Sequence, residues 1–282
     1  MDATRLKLHA RQLLKIPLVI TQFIMPTTKV GYFFLIYHSV SGHLNLELDI
    51  SHAMFCRQLE WLAQTKSVIS YDQTINHMRS NHHLTDKQFI LTFDDGYENF
   101  YTHVFPLLQQ FNLPAILFVP TSFIETGEHH PISQPNITNM PPVTWYMLRE
   151  MIKSGLVTIG AHTHTHPNLL DVSETQLIEE LTKPIKLFQQ RLGIHVEHFA
   201  YPKGYWNQKI ETHVKKYYKT AVIGGGKPAT SDMFNPYRIP RIPIRRSDDW
   251  WFFRAKLKGW LTLEETMYDK LRHLKNRSHN HH

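Results

Sequence analysis

Cysteine is nearly absent: Cys56 stands alone among 282 residues. That excludes an internal disulfide and any cysteine-built metal cluster. Cys56 falls in a helix-like stretch, residues 51–64, where a lone thiol packs as a small hydrophobe. Membrane-length apolar runs are missing too. The run Ile16–Met25 (IPLVITQFIM) contains Thr21 and Gln22 and is too short to cross a bilayer. Arg5, Lys7, Arg11 and Lys15 precede it, but no small-residue cleavage site follows, so it does not read as a secretory leader. Two readings remain: a helix packed on its own domain, which is favoured, and an interfacial helix resting on an anionic membrane. Acidic residues are the minority, 24 against 31 basic. The resulting charge of +7 suits a membrane surface, a phosphate-bearing glycolipid or a nucleic acid. No block of like charges resembles a nucleic-acid arm, so no nucleic-acid partner is expected. Internal repeats and low-complexity tracts are also lacking, which argues against a solenoid and against global disorder.

What the chain does hold is an alternation of strand-like and helix-like segments. Strands are expected at Tyr32–Tyr37, Ser67–Tyr71, Phe89–Phe93, Ala115–Val119, Val157–Ala161, His198–Tyr201 and Ala221–Ile223, with an extended, proline-punctuated segment at Arg238–Ile244. Helices are expected after Ser51, over Glu98–Phe111, from Thr144 to Met151, from Ser173 to Leu192, over Lys209–Tyr218 and over Asp248–Gly259. Gln176 stands three residues after Ser173, the spacing of a capping box. Pro184 should kink or break that helix. The Pro-, Asn- and His-rich stretch Thr121–Pro142 reads as a long functional loop. Such alternation implies a parallel sheet wrapped by helices. A doubly wound sheet and a (β/α) barrel fit the pattern equally.

In either fold the C-terminal ends of the strands share one face, where active sites form. Four polar clusters fall at such ends. Asp94 and Asp95 close the Phe89–Phe93 run. One aspartate there would be an ordinary helix cap, but two adjacent carboxylates repel unless a cation or a shared proton relieves them. His162, His164 and His166 alternate after Val157–Ala161. His162 and His166 are spaced i, i+4, which sets two imidazoles on one side of a turn, and neutral imidazole is a common zinc ligand. Two histidines and a carboxylate make an open site that can acidify water or polarise a carbonyl. His164 points away from that pair, as a supporting or exposed residue. Tyr201-Pro202-Lys203-Gly204 forms a sharp turn able to aim backbone N–H groups at an oxyanion. His38 ends the first strand and is a candidate general acid.

The Thr92-Phe93-Asp94-Asp95-Gly96 and His162-Thr163-His164-Thr165-His166-Pro167 runs resemble the first two motifs of the polysaccharide deacetylases, carbohydrate esterase family 4. The resemblance extends from about Tyr32 to about Ile244. It implies a single-domain α/β fold, a distorted (β/α) barrel of seven strands. It further implies a divalent metal, most often zinc, with cobalt, nickel or iron as alternatives, held by Asp95, His162 and His166. Asp94 would be the general base, and Thr163 would brace the second motif. Where the usual third motif has an arginine and an aromatic, this chain has Ala200 and Lys203. Its Ala-Tyr-Pro-Lys-Gly form is similar to the poly-N-acetylglucosamine deacetylase subgroup, in which the acid comes from an early Tyr-His-x-Val, matched by His38. Arg241, in Ile239-Pro240-Arg241-Ile242, resembles the arginine that orients the base. Trp145 is a candidate for lining the sugar groove.

The expectation is therefore a metal-dependent hydrolase that releases acetate from N-acetylated amino sugars of a polysaccharide or lipid-linked glycan. A hydrolase of a non-sugar C–N amide and an inactive carbohydrate-binding module are the alternatives. Residues 1–30 read as an amphipathic N-terminal segment, 31–260 as the catalytic domain, and 261–282 as a basic, histidine-containing tail. The expected location is cytoplasmic or inner-membrane-associated with peripheral membrane contact, export being the other reading.

Overall fold

In the computed structural model, which describes residues 11–13, 15–17, 30–44, 46–128, 140–261 and 264, seven parallel strands close into a barrel. β1 (Gly31–Tyr37) leads into a small parallel ribbon of β2 (Ser39–Val40) and β3 (Asp49–Ile50). The wall continues through β4 (Lys87–Phe93), β5 (Ala115–Val119), β6 (Val157–Ala161), β7 (His198–Ala200), β8 (Thr220–Gly224) and β9 (Ile239–Pro243). Neighbours in the wall follow sequence order, and β9 returns to β1 through Leu35↔Ile242 and Ile36↔Pro243. That return pairing makes the sheet a barrel rather than a doubly wound sheet. The seams are uneven. β1 and β4 pair along seven positions, whereas β6 and β7 share the single pair Ala161↔Phe199.

Alternation along each strand divides the core in two. Tyr32, Phe34, Ile90, Ile116 and Phe118 fill the interior. Phe33, Leu35, Tyr37, Leu91 and Phe93 face outward into the helical layer. That layer comprises α1 (His52–Thr65), α2 (Tyr71–Arg79), α3 (Phe105–Phe111), α4 (Thr121–Thr126), α5 (Trp145–Lys153), α6 (Glu174–Leu192), α7 (Gln208–Tyr217) and α8 (Trp250–Leu257). Gly160 on β6 makes room inside: a Cβ there would collide with the Phe118 ring.

Three helical segments differ from expectation. Residues 67–71 form no strand. Val68 makes one bridge to Phe89, and α2 starts at Tyr71, capped by the Ser70 hydroxyl accepting from the Gln73 N–H. Its Tyr71, Ile75 and Met78 join the interior cluster. Asp72 meets His198 at the start of β7 at 2.7 Å, and the Tyr71 hydroxyl meets Thr220 at the start of β8 at 2.9 Å. So α2 plugs the end of the barrel where the strands begin. α6, by contrast, runs unbroken past Pro184. Its capping box is present: Gln176 N–H donates to Ser173 Oγ, and the Ser173 N–H donates to Gln176 Oε1. The expected helix over 98–111 is a π-helical turn, Phe100–Val104, followed by α3. The expected loop 121–142 opens with α4, and residues 129–139 lie outside the described residues.

Residues 11–13 and 15–17 are helical, and Lys15 is buried against α8. Its ammonium meets Asp248 at 2.6 Å and Ser247 at 2.8 Å. Lys15 precedes the Ile16–Met25 run, whose described residues, Ile16 and Pro17, are exposed. The rest of the Ile16–Met25 run and nearly all of the 261–282 tail lie outside the described residues. No helix among the described residues is long and apolar enough to cross a membrane.

Candidate metal centre and active-site cleft

The strand ends deliver the expected side chains to one place. β4 runs out at Phe93, and the next two residues after Asp94, Asp95 (φ 75°) and Gly96 (φ 64°), are left-handed. This reversal turns the Asp95 carboxylate into the mouth of the barrel. A side chain at Gly96 would strike Val119, so this turn needs glycine. After β6, Thr163 (φ 66°) and His166 (φ 58°) are left-handed as well. Thr163 is fully buried, and its hydroxyl accepts from the His166 N–H at 3.0 Å. That contact folds the second histidine back toward the first. Non-glycine residues in this region are costly, and they cluster where function requires them.

Asp95, His162 and His166 each offer a ligand atom, and these atoms lie within 4.8 Å of one another. Asp95 Oδ1 is 3.5 Å from His162 Nε2 and 3.6 Å from His166 Nε2, and the two Nε2 atoms are 3.2 Å apart. Donors about 2.0–2.2 Å from a tetrahedral zinc lie roughly 3.3–3.5 Å from each other, so the set fits such an ion. The second interactions fit as well. His162 Nδ1 lies 2.8 Å from the Ala200 carbonyl, which places the proton on Nδ1 and leaves the Nε2 lone pair facing its partners. Asp95 Oδ2 accepts from the Tyr97 hydroxyl at 2.9 Å. Burial opposes a charge on His162, yet Asp94 and Asp95 outweigh it and raise its pKa. The carboxylates thus call for positive charge at this spot.

Asp94 lies beside that set, 3.8 Å from His162 Nε2. Arg241, fully buried on β9, grips it with two bonds, Nη1–Oδ1 at 2.6 Å and Nη2–Oδ2 at 2.7 Å. Burial alone would raise the Asp94 pKa, but the guanidinium outweighs it and holds the carboxyl below its ordinary value. Arg241 is itself set over the Phe118 ring and beside Thr92. His38, half-buried at the end of β1, has its Nδ1 shielded and without a hydrogen-bond partner among the described residues. Burial lowers its pKa, and Asp95 and Asp94 partly restore it.

These groups line a cleft of about 510 Å³, together with Tyr201, Lys203 and Gly204. In the turn after β7 the Tyr201 N–H donates to the Val222 carbonyl at 3.2 Å, and the Gly204 N–H donates to the Tyr201 carbonyl at 2.9 Å. Both donors are therefore engaged, the first with β8 and the second within the turn. Pro202 opens that turn, and Lys203 takes a left-handed φ of 58°. Trp145 lies apart, at the start of α5. Its indole N–H donates to Glu125 at 2.8 Å and its ring meets Phe188 edge-on. It is not among the residues lining the cleft. His164 is buried, with Nδ1 2.9 Å from the Thr121 hydroxyl.

One supporting residue escaped the sequence. Glu180, on α6, accepts from the N–H groups of His164 and Thr165, both at 2.8 Å, and from the Thr165 hydroxyl at 2.6 Å. It pins the loop between His162 and His166. In the sequence Glu180 looks like any solvated acid on an amphipathic helix.

A polysaccharide deacetylase family model matches residues 81–222, half of the chain. The chain belongs to the polysaccharide deacetylase family. The match takes in Asp94, Asp95, His162, His166 and the 201–204 turn, and leaves out His38 and Arg241. The poly-beta-1,6-N-acetyl-D-glucosamine N-deacetylase of Staphylococcus aureus is 27% identical over 220 residues, covering 75% of this chain and 72% of that protein. Two solved structures share the fold. Streptococcus pyogenes deacetylase PplD in complex with acetate gives a TM-score of 0.69 at 21% identity, over 81% of this chain and 99% of that one. IcaB from Ammonifex degensii gives 0.68 at 21% identity, over 82% and 99%. Membership in this family makes the chain a deacetylase, and its barrel is the seven-stranded one that the resemblance implied.

Proposed function

We propose that this deacetylase hydrolyses the N-acetyl group of glucosamine-type sugars in a polysaccharide or lipid-linked glycan, using a zinc ion held by Asp95, His162 and His166. The observation that carries the reading is the convergence of those three ligand atoms beside a second, Arg-clamped carboxylate. The name of the staphylococcal relative supports the sugar. When bound, a divalent cation supplies Lewis-acid polarisation and acidifies water.

The chain's own groups then divide the work. Asp94, kept ionised by Arg241, accepts a proton from the attacking water. Arg241 fixes both carboxylate oxygens, so the base meets its target in one orientation. His38 stands across the cleft as proton donor to the departing amine. Its lowered pKa favours release of its proton to that amine. The Tyr201–Gly204 turn shapes the floor beside the reacting carbonyl, and Thr163 holds the two histidines in register. Peripheral contact with a membrane, through the N-terminal segment, fits a lipid-linked substrate.

The test is an acetate-release screen over N-acetylated glycans and lipid-linked sugars. Chelation should abolish release and added zinc or cobalt should restore it. Asp94→Asn should lower kcat by about 10²–10⁴-fold, the usual contribution of a general base, while binding zinc as tightly as the parent. Unchanged turnover in that variant would remove Asp94 from the base role.

A further inference from the structure

The proposed proton donor has no tether of its own at Nδ1. His38 lines the cleft with Asp94, Asp95, His162 and His166, yet its Nδ1 has no hydrogen-bond partner among the described residues. A working imidazole is ordinarily oriented by the bond that its other ring nitrogen makes. Placement of the His38 ring therefore falls to the backbone on either side. On one side, the Tyr37 carbonyl accepts from the Asp94 N–H at 3.1 Å, and the Tyr37 hydroxyl donates to Gln58 at 3.1 Å. On the other side stands Ser39, 2% exposed.

Three bonds hold Ser39. Its N–H donates to the Leu48 carbonyl at 3.1 Å. Its Oγ donates to Asp49 Oδ1 at 2.6 Å and accepts from Asn99 Nδ2 at 2.7 Å. The proton count fixes these directions, because a hydroxyl has one proton to give. Asp49 is fully buried and accepts from the Ser41 and Leu44 N–H groups at 2.9 and 2.8 Å, with Arg246 at 3.7 Å. The Ser39 proton therefore points to Asp49, and the Asn99 amide must donate.

Asn99 stands three residues beyond the Asp94–Gly96 turn and opens the π-helical turn Phe100–Val104. Such turns recur at functional places. His103, four residues on, reaches the same ribbon, its Nδ1 donating to the Val40 carbonyl at 2.7 Å. The segment that carries the base and the candidate ligand Asp95 is thus clasped at two points to the segment that carries the acid. Asn99 does not line the cleft.

Resting on the deacetylase reading with His38 as proton donor, we propose that Asn99 is a positioning residue for the reaction. Through the Ser39 hydroxyl, with Asp49 as the fixed point, it holds His38 where the departing amine can be protonated.

The experiment follows the zinc-loaded protein on two substrates. One is a β-1,6-linked N-acetylglucosamine pentasaccharide, assayed by acetate release. The other is 4-nitrophenyl acetate, assayed by its chelator-sensitive hydrolysis. The sugar amine must be protonated to leave, whereas 4-nitrophenolate departs without a proton. His38→Ala sets the reference, with kcat on the sugar lowered by about 10²–10⁴-fold and the ester little affected. Asn99→Ala should lower kcat on the sugar by about tenfold, with KM and the ester rate within about twofold of the parent. Ser39→Ala should match it, and the double variant should lose no more than either alone, since both cut one relay. An equal fall on sugar and ester in Asn99→Ala would overturn the proposal, being what a merely structural role predicts. So would parent rates on both, or losses that add in the double variant. A sugar-to-ester ratio left unchanged by His38→Ala, or no acetate from the sugar with the parent protein, would instead overturn the reading on which the proposal rests.

Discussion

At the scale of the residue, the Asp94–Arg241 pair decides when the base is ready. A buried carboxylate left alone would hold its proton, and the guanidinium reverses that preference. Arg241→Lys keeps a charge but loses the two-pronged grip. The Asp94 pKa should therefore rise, so the acid limb of the pH–rate profile moves to higher pH and kcat falls at neutral pH. An acid limb that stays in place would show that another group titrates there. These residues were legible because the signals sit side by side in the chain. Two carboxylates in succession, and two imidazoles at i and i+4, point to a cation because each run follows a strand and such strand ends share one face. Arg241 was reached only through resemblance, since nothing in Arg238–Ile244 says which way an arginine points. Trp145 shows the limit of such reading: an indole early in a helix after a loop can turn to the sugar or to its own domain, and here Glu125 and Phe188 hold it.

At the scale of the element, helices hold what strands present. α6 lies outside the barrel, yet its Glu180 accepts three hydrogen bonds from the His164–Thr165 segment. Glu180→Gln leaves one acceptor oxygen for those donors, so the histidine loop should loosen. Zinc affinity, measured by competition with a chromophoric chelator, is expected to fall by about 10–100-fold, the usual cost of losing a group that orients ligands. The circular dichroism spectrum should be unchanged. Affinity equal to the parent's would assign the loop's order to Thr163 alone. Helix α2 was missed for a physical reason. Its apolar positions, Tyr71, Ile75 and Met78, have helical spacing and Ser70 is a proper cap, but Asp72, Gln73, Asn76 and His77 dilute the pattern. The preceding Val68–Tyr71 then reads as β-prone. Barrel closure was equally hidden, because two pairs of residues far apart in sequence settle it. Pro184 did not break α6, since its buried face packs on the core while the helix continues around it.

At the scale of the whole molecule, a buried charge cluster ties the first described helix to the last. Burial would raise the Asp248 pKa, but Lys256 and Lys15 outweigh it and hold it well below the ordinary carboxylate value. A depressed carboxyl contributes stability that is present above its unfolded pKa, about 3.9, and is lost as pH falls through the folded value. Asp248→Asn removes the acid that both buried ammonium groups meet, Lys15 keeping Glu264 at 3.6 Å, a change that costs about 3 kcal/mol. Thermal melts at neutral pH should drop by roughly 10 °C, and the gap to the parent should narrow only in strong acid. An equal Tm at neutral pH would show the cluster to be electrostatically slack. The thinnest join of the barrel has a consequence of its own. β6 and β7 meet at one residue pair, and the His162 imidazole reaches across that join to the Ala200 carbonyl. One ring is therefore both a candidate ligand and a stitch. Amide exchange along β7 should quicken in His162→Ala but not in His166→Ala, as though unbuttoning the wall and emptying the site were a single motion.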